Sequence, residues 1–145
     1  MSALPPVLNN QTKILILGSF PSNISLQKHQ YFANPNNDFW KVMSGVVNKD
    51  LTKKTYDEKI NTLLKYNIGL WDVLESCERA GSMDNKILNG KANNFISLLK
   101  RYPNIKVILI LGTQAYDIFR KLKIGISQYY IPSTSGANRS NYNVN

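Results

Sequence analysis

Apolar and polar positions along this chain fall in blocks, and the blocks change period. Lys13–Leu17 holds a continuous apolar run that closes on Gly18, the pattern of a strand buried on both faces. Lys106–Leu111 (KVILIL) repeats it, β-branched and closed by Gly112. Asn67–Val73 (NIGLWDV) and Tyr129–Ile131 read as shorter strands, the latter entering Pro132. Between them the apolar period becomes helical. Phe39, Val42, Met43, Val46 and Val47 share one face of a helix over Phe39–Val47, with Asn36 or Asn37 as its N-cap. Thr55–Tyr66 carries Ile60, Leu63 and Leu64, and Thr55 with Glu58 forms a capping-box pattern. Asn94–Arg101 is helical up to Pro103, and Gln114–Leu122 places Ala115, Ile118, Phe119 and Leu122 on one face. Met1–Thr12 reads as a polar lead-in arm, Pro21–Asn37 as a long polar loop, and Glu75–Gly90 as irregular. Apolar runs alternating with amphipathic helices predict a three-layer α/β/α sandwich around a central, mainly parallel four-stranded sheet. At 145 residues, with no internal repeat, residues 1–145 read as a single domain.

GSFPS (Gly18–Ser22) and IPSTSGAN (Ile131–Asn138) share a strand-then-polar-loop grammar, and NPNNDFW (Asn34–Trp40) puts an amide-rich loop just before a helix. Loops at the carboxyl ends of parallel strands are where open α/β folds bind ligands. The three are expected to converge on one cleft.

Charge narrows the ligand. The chain carries 18 Lys and Arg against 9 Asp and Glu, a net charge of +9. That is the electrostatic footprint of a polyanion binder, or else of a plain lysine-rich surface. One cysteine, Cys77, rules out an intrachain disulfide and fits a reducing compartment. The amino terminus lacks the pattern of a signal peptide, and no apolar stretch reaches membrane-spanning length. An intracellular protein of cytoplasm or nucleus, acting as a monomer away from membranes, is expected.

Much chemistry is missing from the sequence. One histidine, His29, and one cysteine leave no paired ligands for a metal, and neither GxGxxG nor a Walker A loop occurs. No metal and no cofactor is expected. His29 reads as a solvated loop residue and Cys77 as a small buried side chain. What remains is a stock of amides and hydroxyls in the three loops. They include Ser19, Ser22, Asn34, Asn36, Asn37, Ser133, Thr134, Ser135 and Asn138. Such groups bind phosphates and base edges and orient water, but are poor proton-transfer catalysts.

These residues resemble the uracil-DNA glycosylase superfamily, nearest its hypoxanthine (deoxyinosine)-DNA glycosylase branch. The similar motifs are GSFPS, SL (Ser25–Leu26), YF (Tyr31–Phe32), NPNNDFW, GLWDVLESCERAGSMD (Gly69–Asp84), LILGTQAY (Leu109–Tyr116) and IPSTSGAN. They run in order over about residues 13–138, and the collinear set is specific where each alone is weak. The resemblance implies a monofunctional glycosylase that extrudes a damaged base from double-stranded, or single-stranded, DNA and leaves an abasic site. It implies that Asn37 is catalytic, orienting water and stabilising the developing sugar cation. Ser19, Phe20, Tyr31, Phe32 and Asn34 are implied at the base, with Phe32 stacking on it. Ser22, Ser133, Thr134, Ser135, Asn138 and Arg139 are implied on the DNA. Relatives that excise uracil carry Asp or Asn where Phe20 stands, so hypoxanthine is the favoured base and uracil the second. Ser76, Cys77, Arg79 and Asp84 match a segment expected to serve packing and internal salt bridges.

Relatives also continue past the IPSTS-type loop into a closing helix, for which the polar SNYNVN ending has low promise. One sheet face is therefore expected to lack cover. The rival expectation is a non-catalytic or truncated nucleic-acid-binding relative of the same fold. A free-nucleotide-binding Rossmann-like domain is a weaker one, because the phosphate fingerprint is absent.

Overall fold

A computed structural model describes residues 2–79 and 87–136. The central sheet joins β1 (Ile14–Gly18), β2 (Ile68–Asp72), β5 (Val107–Leu111) and β6 (Ser127–Ile131) in the order β2-β1-β5-β6. Every pairing is parallel, with Leu17 opposite Trp71 on one side and Ile110 on the other. The apolar runs are continuous because both faces are covered. Ile16, Leu70 and Leu111 pack with Phe39, Trp40, Met43 and Val47 of α2 (Phe39–Val47) and Leu63 of α3 (Tyr56–Lys65). Leu15, Leu17, Ile108 and Ile110 pack on the other face with Phe95 of α4 (Phe95–Arg101) and Ala115 and Phe119 of α5 (Thr113–Lys121). This is the expected α/β/α sandwich; contrary to the expectation that one sheet face lacks cover, helices pack on both faces.

The order of strands decides where a ligand fits. From β1 the chain passes through α2 and α3 on one face to β2, then crosses to β5 on the opposite side of β1, and α5 covers the other face. The connections leaving β1 and β5 therefore diverge, opening a crevice at the carboxyl ends of these neighbours.

Three expectations need correction. The Pro21–Asn37 segment is not all loop: α1 (Asn23–Lys28) forms there, because Ser22 accepts a hydrogen bond from the Ser25 N–H at 3.1 Å as its N-cap. The stretch read as irregular from Glu75 holds an antiparallel hairpin, β3 (Leu74–Arg79) with β4 (Ile87–Ala92). Its polar residues face solvent on a two-stranded ribbon, so the apolar period is too sparse to show. The lead-in arm is docked rather than loose: Leu4 is buried, and Val7 and Leu70 exchange two backbone hydrogen bonds of 2.8 Å. The arm thereby covers the outer edge of β2. The capping box of α3 forms as expected, Thr55 and Glu58 each accepting from the other's N–H. The SNYNVN ending lies outside the described residues, as do Asp84, Asn138 and Arg139. Among the described residues no helix is long and apolar enough to cross a membrane.

Gly69 makes the docked arm possible. A Cβ there would lie 2.6 Å from the carbonyl oxygen of Val7 and 3.0 Å from a Thr12 methyl. Backbone cannot step aside as a flexible side chain does. Gly69→Ala is expected to cost about 1–3 kcal/mol in urea unfolding and to speed amide exchange at Val7 and Leu70.

Candidate active site

The parallel pairing brings the ends of β1, β2, β5 and β6 to one side of the sheet. Gly18, Asp72, Leu111 and Ile131 stand there in register. The turn after β1 is held from below: the Gly18 and Ser19 carbonyls accept from Val73 and Leu74 N–H at 2.8 and 3.1 Å. A Cβ on Gly18 would lie 2.9 Å from an Asp72 carboxylate oxygen, so a larger residue there would have to displace that carboxylate.

Phe20 commits its side chain to the core and leaves only its backbone for a ligand. Its side chain is buried with Leu74 and Cys77 in a small core beneath the hairpin. Arg79 stacks its guanidinium over the Phe20 ring at 5.1 Å and donates to the Pro21 carbonyl at 2.6 Å. Arg79 thus straps the GSFPS loop to β3, a role sequence left as general packing. Ser19 is buried, leaving this loop's backbone as what it can present to a ligand.

The second loop is built by its amides. The Asn37 N–H donates to the Asn34 carbonyl at 2.9 Å, a β-turn with Pro35 at its second position. The Asn34 side-chain oxygen accepts from the Asn36 N–H at 2.9 Å, which ties that oxygen into the turn. The Asn37 oxygen accepts from the Phe39 N–H at 2.9 Å. The N-cap position itself belongs to Asp38, which makes no side-chain cap bond, so Asn37 performs the capping from one residue earlier.

The third loop closes on the second. Thr134 donates its hydroxyl to the same Asn37 oxygen at 2.8 Å, and its carbonyl accepts from the Asp38 N–H at 2.8 Å. Gly136 sits so close that a Cβ would lie 2.9 Å from the Asn36 carbonyl. Gly112, at φ +88°, brings the end of β5 against Ser133, and the Ser133 hydroxyl accepts from the Ser135 N–H at 3.2 Å. Thr134 is buried and its hydroxyl fastens the two loops. Ser133 and Ser135 stay half-buried on its flanks. Ser22 spends its hydroxyl capping α1 and donating to Ser25.

The aromatic pair divides. Tyr31 is buried, its phenol donating to the Pro5 carbonyl at 2.8 Å, so it does not line an open site. Phe32 is half-buried and stacks on Phe39, with centroids 3.8 Å apart and planes 13° apart. Asn37 and Thr134 are thus brought into contact, Phe32 is tied to the helix that Asn37 caps, and Phe20 belongs to a different cluster. His29 is the exposed C-cap of α1. Among the described residues no group of three His, Cys, Asp or Glu is placed to hold a metal.

Sequence reasoning missed Asp38 and Asp72, two buried carboxylates at the ligand end of the sheet, because neither stands in a recognisable charge pattern. It missed Ser25 and Tyr56 as well. Ser25 stands in an S-x-x-S spacing that marks a cap, but Tyr56 lies 25 residues from its partner Tyr31 with no local signal.

The Uracil DNA glycosylase superfamily model matches residues 5–145. The chain belongs to that superfamily. A hypoxanthine DNA glycosylase of Methanosarcina acetivorans is 40% identical over 136 residues, 93% of this chain and 86% of that one. A protein of the same name from Methanosarcina barkeri is 38% identical over the same shares. A solution NMR structure of a candidate uracil DNA glycosylase from Methanosarcina acetivorans superposes with a TM-score of 0.88. It is 38% identical, with 98% of this chain and 89% of that one covered.

Two predictions follow from the geometry. Thr134→Val keeps shape but removes the donor to Asn37, and is expected to lower stability by about 1 kcal/mol in urea unfolding and to move the Asn37 side-chain amide resonances. Burial, helped by the Asp72 charge, raises the Tyr31 phenol above its ordinary value of 10.0, and burial also raises that of Tyr56. The unfolded chain sheds these protons near pH 10 while the folded chain keeps them. Stability from this source is therefore complete below about pH 10 and falls above it. Urea midpoints measured from pH 8 to 11.5 should show the fall, and Tyr31→Phe should flatten it.

Proposed function

We propose that this chain is a monofunctional DNA glycosylase that hydrolyses the bond between deoxyribose and an extruded hypoxanthine, leaving an abasic site, with uracil as a poorer base. The observation that carries the reading is the 38–40% identity to proteins named hypoxanthine DNA glycosylase across nearly the whole chain. The fastening of the Asn37 loop to the Thr134 loop at the crevice supports it. Adenine deamination replaces an amino group by a carbonyl, and the weakened pairing lowers the cost of extrusion.

The chemistry fits an amide site. Glycosidic cleavage passes through an oxocarbenium-like state, so the base leaves early and water needs placing more than deprotonating. Both lone pairs of the Asn37 oxygen are occupied by Thr134 and Phe39. The Asn37 amino group is what remains to hold the water, through the water's oxygen. Backbone N–H groups of the Ser19–Phe20 turn receive the charge that develops on the purine carbonyl, as an oxyanion site does. Phe32 stacks on the base. Ser133 and Ser135, with surrounding lysines and arginines, hold the flanking phosphates. The chain acts as one domain and a monomer on duplex DNA inside the cell, without metal or cofactor.

Duplexes holding one deoxyinosine or one deoxyuridine, followed by alkaline cleavage of abasic sites, test the reading. Breakage at inosine, reduced about a hundredfold in Asn37→Ala, is the expected result. Breakage at uracil alone would replace the substrate. The second reading is a binding protein without chemistry, favoured by a buried Phe20 where relatives that excise uracil carry Asp or Asn. No breakage at either base, with salt-sensitive DNA binding intact, would establish it.

A further inference from the structure

Phe32 holds its ring on a backbone at φ +55°. Left-handed geometry is unfavourable for a bulky residue and persists only where its surroundings over-determine it. The other described non-glycine residues with positive φ are three asparagines, His29 and Lys123, so Phe32 is the one with an apolar side chain. Its neighbours explain how it is held. On one side the Tyr31 N–H donates to the Tyr56 hydroxyl at 3.0 Å. On the other the Ala33 N–H donates to the Ser25 hydroxyl at 3.0 Å. Both acceptors are themselves fixed. Ser25 is buried and takes the Ser22 hydroxyl at 3.2 Å; Tyr56 meets the Trp40 ring edge-on at 6.3 Å. The ring between them lies against Phe39 on one face.

We propose that Tyr56 and Ser25 are positioning residues that lock Phe32 in this geometry, so that the face turned away from Phe39 is a preformed shelf for the extruded base. The proposal rests on the glycosylase reading above and deepens it. Neither residue touches the base. Each fixes a backbone N–H next to Phe32, and together they leave the 31–33 segment no freedom to relax toward negative φ. A shelf ordered beforehand spares the complex the cost of ordering it on binding. Without it an extruded base meets a ring that must first be immobilised.

Tyr56→Phe and Ser25→Ala remove one hydroxyl each and keep the surrounding packing. Amide hydrogen exchange reads whether the segment is held. Exchange at Tyr31 in the first variant and at Ala33 in the second is expected to quicken about fivefold, the worth of one hydrogen bond. Single-turnover excision from a deoxyinosine duplex is expected to fall about fivefold to tenfold, while affinity for a duplex holding a tetrahydrofuran abasic analogue stays within about twofold. The abasic analogue has no base to stack, so a generally loosened protein would lose on both substrates. Equal losses on both, or unchanged exchange and excision, would overturn the proposal. Failure of the unaltered protein to release either hypoxanthine or uracil would sink the glycosylase reading and the shelf's purpose with it. The exchange rates would still decide whether the two hydroxyls hold the segment.

Discussion

The hydrogen bond from Thr134 to the Asn37 oxygen joins segments 97 residues apart, and the arrangement of the site depends on it. It brings the loop after the last strand onto the loop that opens α2. The Asp38 N–H on the Thr134 carbonyl and the close seating of Gly136 on Asn36 repeat the connection on either side. Such a contact forms only when β6 is paired to β5 and β5 to β1, because register along the sheet sets the height of each loop. The site is thus a readout of a completed sheet rather than a local motif.

The same contact assigns the parts of one amide. With its oxygen engaged by a hydroxyl and a backbone N–H, the Asn37 side chain has a fixed orientation. Its amino group must point away from both partners. An asparagine in solution offers either end to a ligand, but this one offers a donor. In the proposed reaction that donor would place the water, while the departing base does most of the bond breaking.

Much of the fold was legible in the residues themselves. The apolar runs at Ile14–Leu17 and Val107–Leu111, each closed by glycine, read as strands covered on two faces, and both are strands of the central sheet. The helix over Phe39–Val47 forms where its apolar spacing places it, but the face that meets the sheet is Phe39, Trp40, Met43 and Val47, and Val46, expected on that face, is exposed. The β3–β4 hairpin was not legible, since a solvent-facing ribbon carries little apolar period. The docked arm was hidden for another reason: its hold on β2 runs through backbone groups, which sequence does not display. In the site, Asn37 and Phe32 stand out through their motifs. The inward turn of Thr134 and the burial of Phe20 depend on partners far along the chain. A polar residue in a loop motif does not reveal whether it faces the ligand or another loop.

The docked arm has a bearing on how this protein behaves in a tube. Residues 2–12 contribute Leu4 to the core, the Pro5 carbonyl to Tyr31, and Val7 to the outer edge of β2. Loss of that segment would bare a strand edge of unpaired amides and carbonyls, the kind of template on which a second chain adds. The cover of this edge and the order around Tyr31 therefore depend on one short stretch. A fusion at the amino terminus, ordinarily chosen for convenience, is here attached to the segment that covers the outer edge of β2.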